Sequence, residues 1–137
     1  DKAEVYRTDI LRKYPFPEYE GEKFLSECAV WNRIGMDGYL IRWYPEALSV
    51  SEYLADGLTK SEDKEARNYK GYTYVIRQQL MFEPWLKRLA LIAQYDRVTR
   101  SKGGNKKEVC SNLQIPGWEL QIARGAKWIH TKIKKKG

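Results

Sequence analysis

Along the first sixty residues the spacing of apolar positions changes several times, and each change marks an expected element. Glu4-Val5-Tyr6-Arg7-Thr8 is a short β-prone run, and Asp9-Ile10-Leu11-Arg12-Lys13-Tyr14 has helical spacing that Pro15 and Pro17 stop. Phe24, Leu25, Cys28, Trp31 and Ile34 fall on one face of an amphipathic helix expected over residues 22–34, closed by Gly35 and Gly38. Tyr39-Leu40-Ile41-Arg42-Trp43-Tyr44 reads as a strand, residues 47–54 read as a second, and Asp56-Gly57 is a turn signal. Beyond Thr59 the period becomes helical throughout. Tyr69, Tyr72, Ile76 and Leu80 share a face, and Pro84 breaks the pattern. Trp85, Leu86, Leu89, Ile92 and Ala93 open a second face, and Gly103-Gly104 divides it from a final helix that starts near Pro116 and runs toward Ile133.

This order divides the chain into a mixed part, residues 1–60, and a helical part, residues 61–137. The mixed part holds too few strands for a complete sheet, so the chain reads as a piece of a longer protein. Its 137 residues, 42% of them hydrophobic and 13% aromatic, suffice for a real core. No run approaches the roughly 18 apolar residues of a membrane-crossing helix. Cys28 and Cys110 form no disulfide framework, which points to a reducing compartment, and His130 is the single histidine. A histidine-rich metal site or a serine–histidine triad is therefore hard to assemble.

Charge separates the two parts. Residues 1–60 carry 8 Lys/Arg against 11 Asp/Glu, and residues 61–137 carry 17 against 7. Acidic side chains gather at Glu18, Glu20, Glu22 and Glu27, where helix capping and solubility are one reading and a general base at Glu22 the other. At the opposite end Trp118, Ile122, Ala126, Ile129 and Ile133 recur at helical spacing. Arg124, Lys127 and Lys132 fall mostly elsewhere, and Lys134-Lys135-Lys136 closes the chain. A basic amphipathic helix of this kind suits an anionic membrane surface through Trp118, Arg124, Lys127, Trp128 and Lys132, or simply docks on the domain. No stacking aromatic pair, GxxG loop or zinc-finger spacing points to nucleic acid.

Five segments then occur in a suggestive order: Glu4-Val5-Tyr6-Arg7-Thr8; Phe16-Pro17-Glu18; Gly21-Glu22-Lys23-Phe24-Leu25-Ser26-Glu27; Trp31-Asn32-Arg33-Ile34; and Glu52-Tyr53-Leu54-Ala55-Asp56-Gly57-Leu58-Thr59. Over residues 1 to about 80 this resembles the second half of a family 2 glycosyltransferase domain, the GT-A type of bacterial cell-surface polysaccharide enzymes. The resemblance implies an α/β fold, a partial GT-A-like half of strands and helices followed by an all-helical extension. It implies an inverting transfer of sugar from a nucleotide-sugar donor to a saccharide or lipid-linked acceptor, in the cytoplasm or at the inner face of the cell membrane. The family's Asp-x-Asp motif, which holds a divalent metal (Mg or Mn) and the donor diphosphate, is absent from this sequence. The donor half and the metal ligands are thus expected outside the chain, and the chain alone is expected to be inactive. The resemblance makes Glu22 the candidate base with Glu27 in reserve, since Lys23 stands where many members carry the second acid. It places Glu52, Tyr53 and Asp56 near the substrates. The alternative from charge alone is a non-catalytic basic module that binds an anionic membrane or a protein partner.

Overall fold

The computed structural model describes residues 5–40 and 63–134, with side chains as far as Ala126, and every regular element within them is a helix. The first stretch holds α1 (Thr8–Leu11) and α2 (Cys28–Met36). The second holds α3 (Lys64–Arg67), α4 (Tyr69–Phe82), α5 (Trp85–Ser101), α6 (Lys106–Leu113) and α7 (Gly117–Lys134).

This corrects the expected partial GT-A-like α/β half, because no strand occurs among the described residues. The β-prone run at Val5–Thr8 shows why. The Arg7 carbonyl accepts the Ile10 and Leu11 N–H groups at 3.1 and 3.0 Å, and the Arg7 guanidinium pairs with Asp9 in the first turn of α1. Local bonds thereby satisfy a backbone that a strand would need a neighbouring chain to satisfy. The strand expected from Tyr39 begins instead inside a helix stop. Gly38, at φ 86°, lets its own N–H bond to the Gly35 carbonyl and the Tyr39 N–H to the Ile34 carbonyl, which closes α2. The rest of that run and the strand expected over 47–54 lie outside the described residues.

Two helix boundaries also move. The helix expected from residue 22 starts at Cys28, and the one expected over 65–82 is broken at Asn68, whose φ of −117° and ψ of 50° are not helical. The short α6 has a local signal in Asn105, whose side chain accepts the Glu108 N–H at 3.1 Å in a capping arrangement. Gln114 ends it in the left-handed conformation.

α5 packs against α4, α6 and α7, so its buried face is wide. Ile76 and Leu80 of α4, Leu89, Ile92 and Tyr95 of α5, Val109 and Leu113 of α6, and Leu120 and Ala123 of α7 form the main core. Several polar groups inside it are paired. Tyr95 stacks between Tyr69 and Tyr72, with ring centroids 5.4 and 5.5 Å away. The Tyr95 hydroxyl meets Thr73 at 2.6 Å and accepts from Asn112 at 3.1 Å. Asp96, 1% exposed, accepts two bonds from Arg124 at 3.0 and 2.6 Å and pairs with Arg100 at 2.9 Å. Arg88 joins three helices, since its guanidinium binds both Glu119 oxygens in the first turn of α7 and the Leu80 carbonyl near the end of α4.

A second, smaller core of Tyr14, Val30 and Ile34 lies in the first stretch, with Tyr6 and Ile10 against it. The Tyr14 hydroxyl donates to Asp37 at 2.6 Å, and the Arg33 guanidinium lies 5.3 Å over the Tyr14 ring.

Two measurements check these contacts. Replacing Arg124 with Met leaves Asp96 buried with one cation instead of two, and denaturant unfolding is expected to show a loss of ~3 kcal/mol. The donation to Asp37 pushes the Tyr14 phenol up to about 12, and burial pushes Tyr72 and Tyr95 up as well. An unfolded phenol ionises near pH 10, so the stability these groups contribute is complete below about pH 10 and is lost as pH rises above it. Melting temperature is therefore expected to hold up to that pH and then fall, with a shallower fall in Tyr14→Phe.

Candidate functional site

Like any helix, α4 opens with N–H groups that have no partner in their own helix, and it has no side-chain cap from its own N-cap residue. The partner comes from a distant loop. The Lys70 N–H donates to Glu22 Oε1 at 2.6 Å and the Gly71 N–H donates to Glu22 Oε2 at 2.8 Å. A carboxylate there also meets the positive end of the helix dipole. Asn68 returns the contact. Its Oδ1 accepts the Lys23 and Phe24 N–H groups at 2.8 and 2.9 Å, while its Nδ2 donates to the Lys64 carbonyl at 2.7 Å. Asn68 is out of helical geometry where it makes these bonds, which separates α3 from α4, and the loop it binds runs on to the start of α2 at Cys28.

Gly71 makes the close approach feasible. A Cβ there would lie 2.9 Å from Leu25 Cδ1 and 3.2 Å from Glu22 Oε2. Further along α4, Gln78 donates to the Ala29 carbonyl at 3.2 Å and accepts from Asn32 at 3.3 Å, which fixes α2 alongside.

Between this loop and α3, α4 and α5 lies an open cleft of about 310 Å³. Leu25, Val75, Ile76 and Leu91 give it apolar walls, and Ser26, Glu65, Gln79 and Gln94 supply polar groups. Tyr72 also lines it, and its buried hydroxyl has no hydrogen-bond partner among the described residues. Burial pushes this phenol's pKa up, so it stays a neutral donor at physiological pH. Apolar walls, a carboxylate, the Lys64 ammonium, three amides and an unpaired hydroxyl suit a polar, polyhydroxylated ligand.

The candidate residues are placed unevenly. Glu22, expected in the first turn of a helix, sits in the loop and caps α4. Glu27 is exposed at the N-cap of α2, between Ser26 and Cys28, both of which line the cleft. Glu52, Tyr53 and Asp56 lie outside the described residues. On α7, Trp118 is 59% exposed, but Arg124 turns to Asp96 rather than outward. The side chains of Lys127, Trp128 and Lys132 lie outside the described residues. Asn68, Gly71 and Tyr72 were not singled out from the sequence as site residues; an Asn and a Gly three residues apart inside a helical pattern was the available signal.

The divalent metal implied by the resemblance does not fit the residues described. No group of three His, Cys, Asp or Glu side chains converges among them, and Glu22, Asp96 and Glu119 are each occupied by N–H or guanidinium donors. No helix among the described residues is long and apolar enough to cross a membrane. Comparison of the chain with protein-family models, curated proteins and solved structures finds no match.

A pair of glycine substitutions tests the clasp. In Gly125, inside α7 with nothing within 4 Å of an added Cβ, alanine is expected to raise stability by about 1 kcal/mol. Gly71→Ala, with the same helical gain, is expected to lower it by about 1 kcal/mol, because Leu25 and the Glu22 carboxylate must both move. Thermal melts of the two variants read the opposite signs.

Proposed function

We propose that this chain is the acceptor-side portion of a nucleotide-sugar-dependent glycosyltransferase. The observation that carries the reading is the order of the five segments between Glu4 and Thr59. The cleft supports it, since the loop holding Gly21-Glu22-Lys23-Phe24-Leu25-Ser26-Glu27 forms one of its walls, and its lining suits a sugar.

In this proposal an acceptor saccharide, free or lipid-linked, lies in the cleft with one hydroxyl toward a carboxylate. That carboxylate takes the proton as the hydroxyl oxygen attacks the anomeric carbon, the bond to the nucleoside diphosphate breaks, and configuration inverts. Glu22 is a positioning residue in this scheme, because both its oxygens hold α4. Glu27 is the better base: it is exposed, and its sequence neighbours on both sides line the cleft. Donor binding is assigned to residues beyond this chain.

The experiment uses the natural gene product that contains these residues, with nucleoside diphosphate release followed over a panel of nucleotide sugars and acceptors. Glu27→Gln is expected to lower kcat by roughly 10²–10⁴ with an unchanged melting temperature. Glu22→Gln is expected to lower the melting temperature by the equivalent of about 1 kcal/mol, the worth of a helix cap. The isolated 137-residue chain is expected to release no nucleotide. Full activity in Glu27→Gln would remove the base assignment, and no turnover by the whole gene product across the panel would overturn the enzyme reading.

A further inference from the structure

The end of the bundle gathered by Arg88 bears a concentrated apolar surface. Met81 and Phe82 at the end of α4, Trp85 and Leu86 at the start of α5, and Trp118 and Ile122 in α7 are all exposed. They make up half of the exposed large apolar side chains among the described residues, and Leu86 is 80% exposed. The Trp85 and Trp118 rings lie 6.3 Å apart. An apolar groove of about 340 Å³ between α5 and α7 is lined at one end by Leu86 and extends the surface along the bundle. A patch of this kind on a protein is a contact site.

The charges around it select the occupant. Its two carboxylates are neutralised, Glu83 by Lys87 at 3.1 Å and Glu119 by Arg88. Arg77, one turn before Met81, is exposed, and so is Lys106, whose ammonium lies 3.5 Å from where a Gly117 Cβ would stand. α5 starts here with Pro84 at its N-cap, no side-chain cap and no acid in its first turn, so the positive end of its dipole is uncompensated. A second copy of the same end would set like charges opposite one another. Tryptophan rings beside aliphatic side chains, ringed by unpaired cations, match the headgroup boundary of an anionic bilayer.

We infer that this three-helix end docks the protein on an anionic membrane surface. Trp85, Leu86 and Trp118 enter the headgroup–acyl boundary, and Arg77 and Lys106 meet lipid phosphates. The inference stands independently of the glycosyltransferase reading.

The test is co-sedimentation of the full chain with vesicles of phosphatidylcholine alone and of equal parts phosphatidylcholine and phosphatidylglycerol, with tryptophan emission followed in parallel. Binding is expected only to the anionic vesicles, with a blue shift, and is expected to weaken as salt is raised. A Trp85→Ser, Trp118→Ser double variant is expected to lose about tenfold or more in affinity while keeping its melting temperature, since both rings are exposed. Equal binding to both vesicle types would overturn the anionic assignment. Undiminished binding by the double variant would move docking to another face. Absence of binding to either vesicle, with or without self-association in sedimentation velocity, would overturn the proposal, self-association naming a second copy as the occupant. Where the double variant melts lower, Leu86→Ser alone repeats the comparison.

Discussion

The unsatisfied N–H groups at the start of α4 are the constraint around which residues 5–40 and 63–126 are joined. The first N–H groups of a helix have no intrahelical acceptor, and α4 lacks one on the side chain of its own N-cap residue. Glu22 supplies both, from 48 and 49 positions away, and Asn68 occupies two loop N–H groups in exchange. Removing one half of the reciprocal arrangement leaves part-buried donors to find water instead, at about the worth of a helix cap. The exchange brings the loop against α4 at the break between α3 and α4, beside the cleft, and Gln78 fixes α2 further along the same helix.

The same logic orders the basic half of the chain. Only 7 acidic residues stand against 17 Lys/Arg beyond residue 60. Two of the acids, Asp96 and Glu119, are buried, where each gathers guanidinium groups from neighbouring helices or turns. The two buried acids engage three arginines, Arg88, Arg100 and Arg124, and the end where Arg88 works is also where aromatic side chains remain outside.

Much of the helical half was legible. Tyr69, Tyr72, Ile76 and Leu80 do lie against one core, Pro84 does precede a new helix, and α7 does follow Pro116. These are local signals, set by periodicity and by what proline forbids. The first half was read less well because its outcome is decided by long-range partners. The spacing of Phe24, Leu25, Cys28, Trp31 and Ile34 satisfies a helix from residue 22, yet the helix starts at Cys28 and the Lys23 and Phe24 N–H groups of the loop before it bind a distant Asn68. Likewise Glu22 looked like a base or a local cap, and it is a cap, but for a helix that local spacing could not identify. Arg124 was assigned outward from its position on a helical wheel, whereas the buried carboxylate of Asp96 outweighs that geometry. Cleft residues Asn68 and Tyr72 carry no motif; they matter because folding brings the loop to them.

The most direct test of the clasp is to compare the Lys70 and Gly71 amide resonances and their hydrogen-exchange rates by NMR in the native chain and in Glu22→Ala. Both amide protons are expected to sit downfield and exchange slowly in the native chain, and to move upfield and exchange faster in Glu22→Ala. Shifts and exchange rates at Lys70 and Gly71 that are unchanged in Glu22→Ala would contradict the account, because the helix would then be capped by something other than this carboxylate.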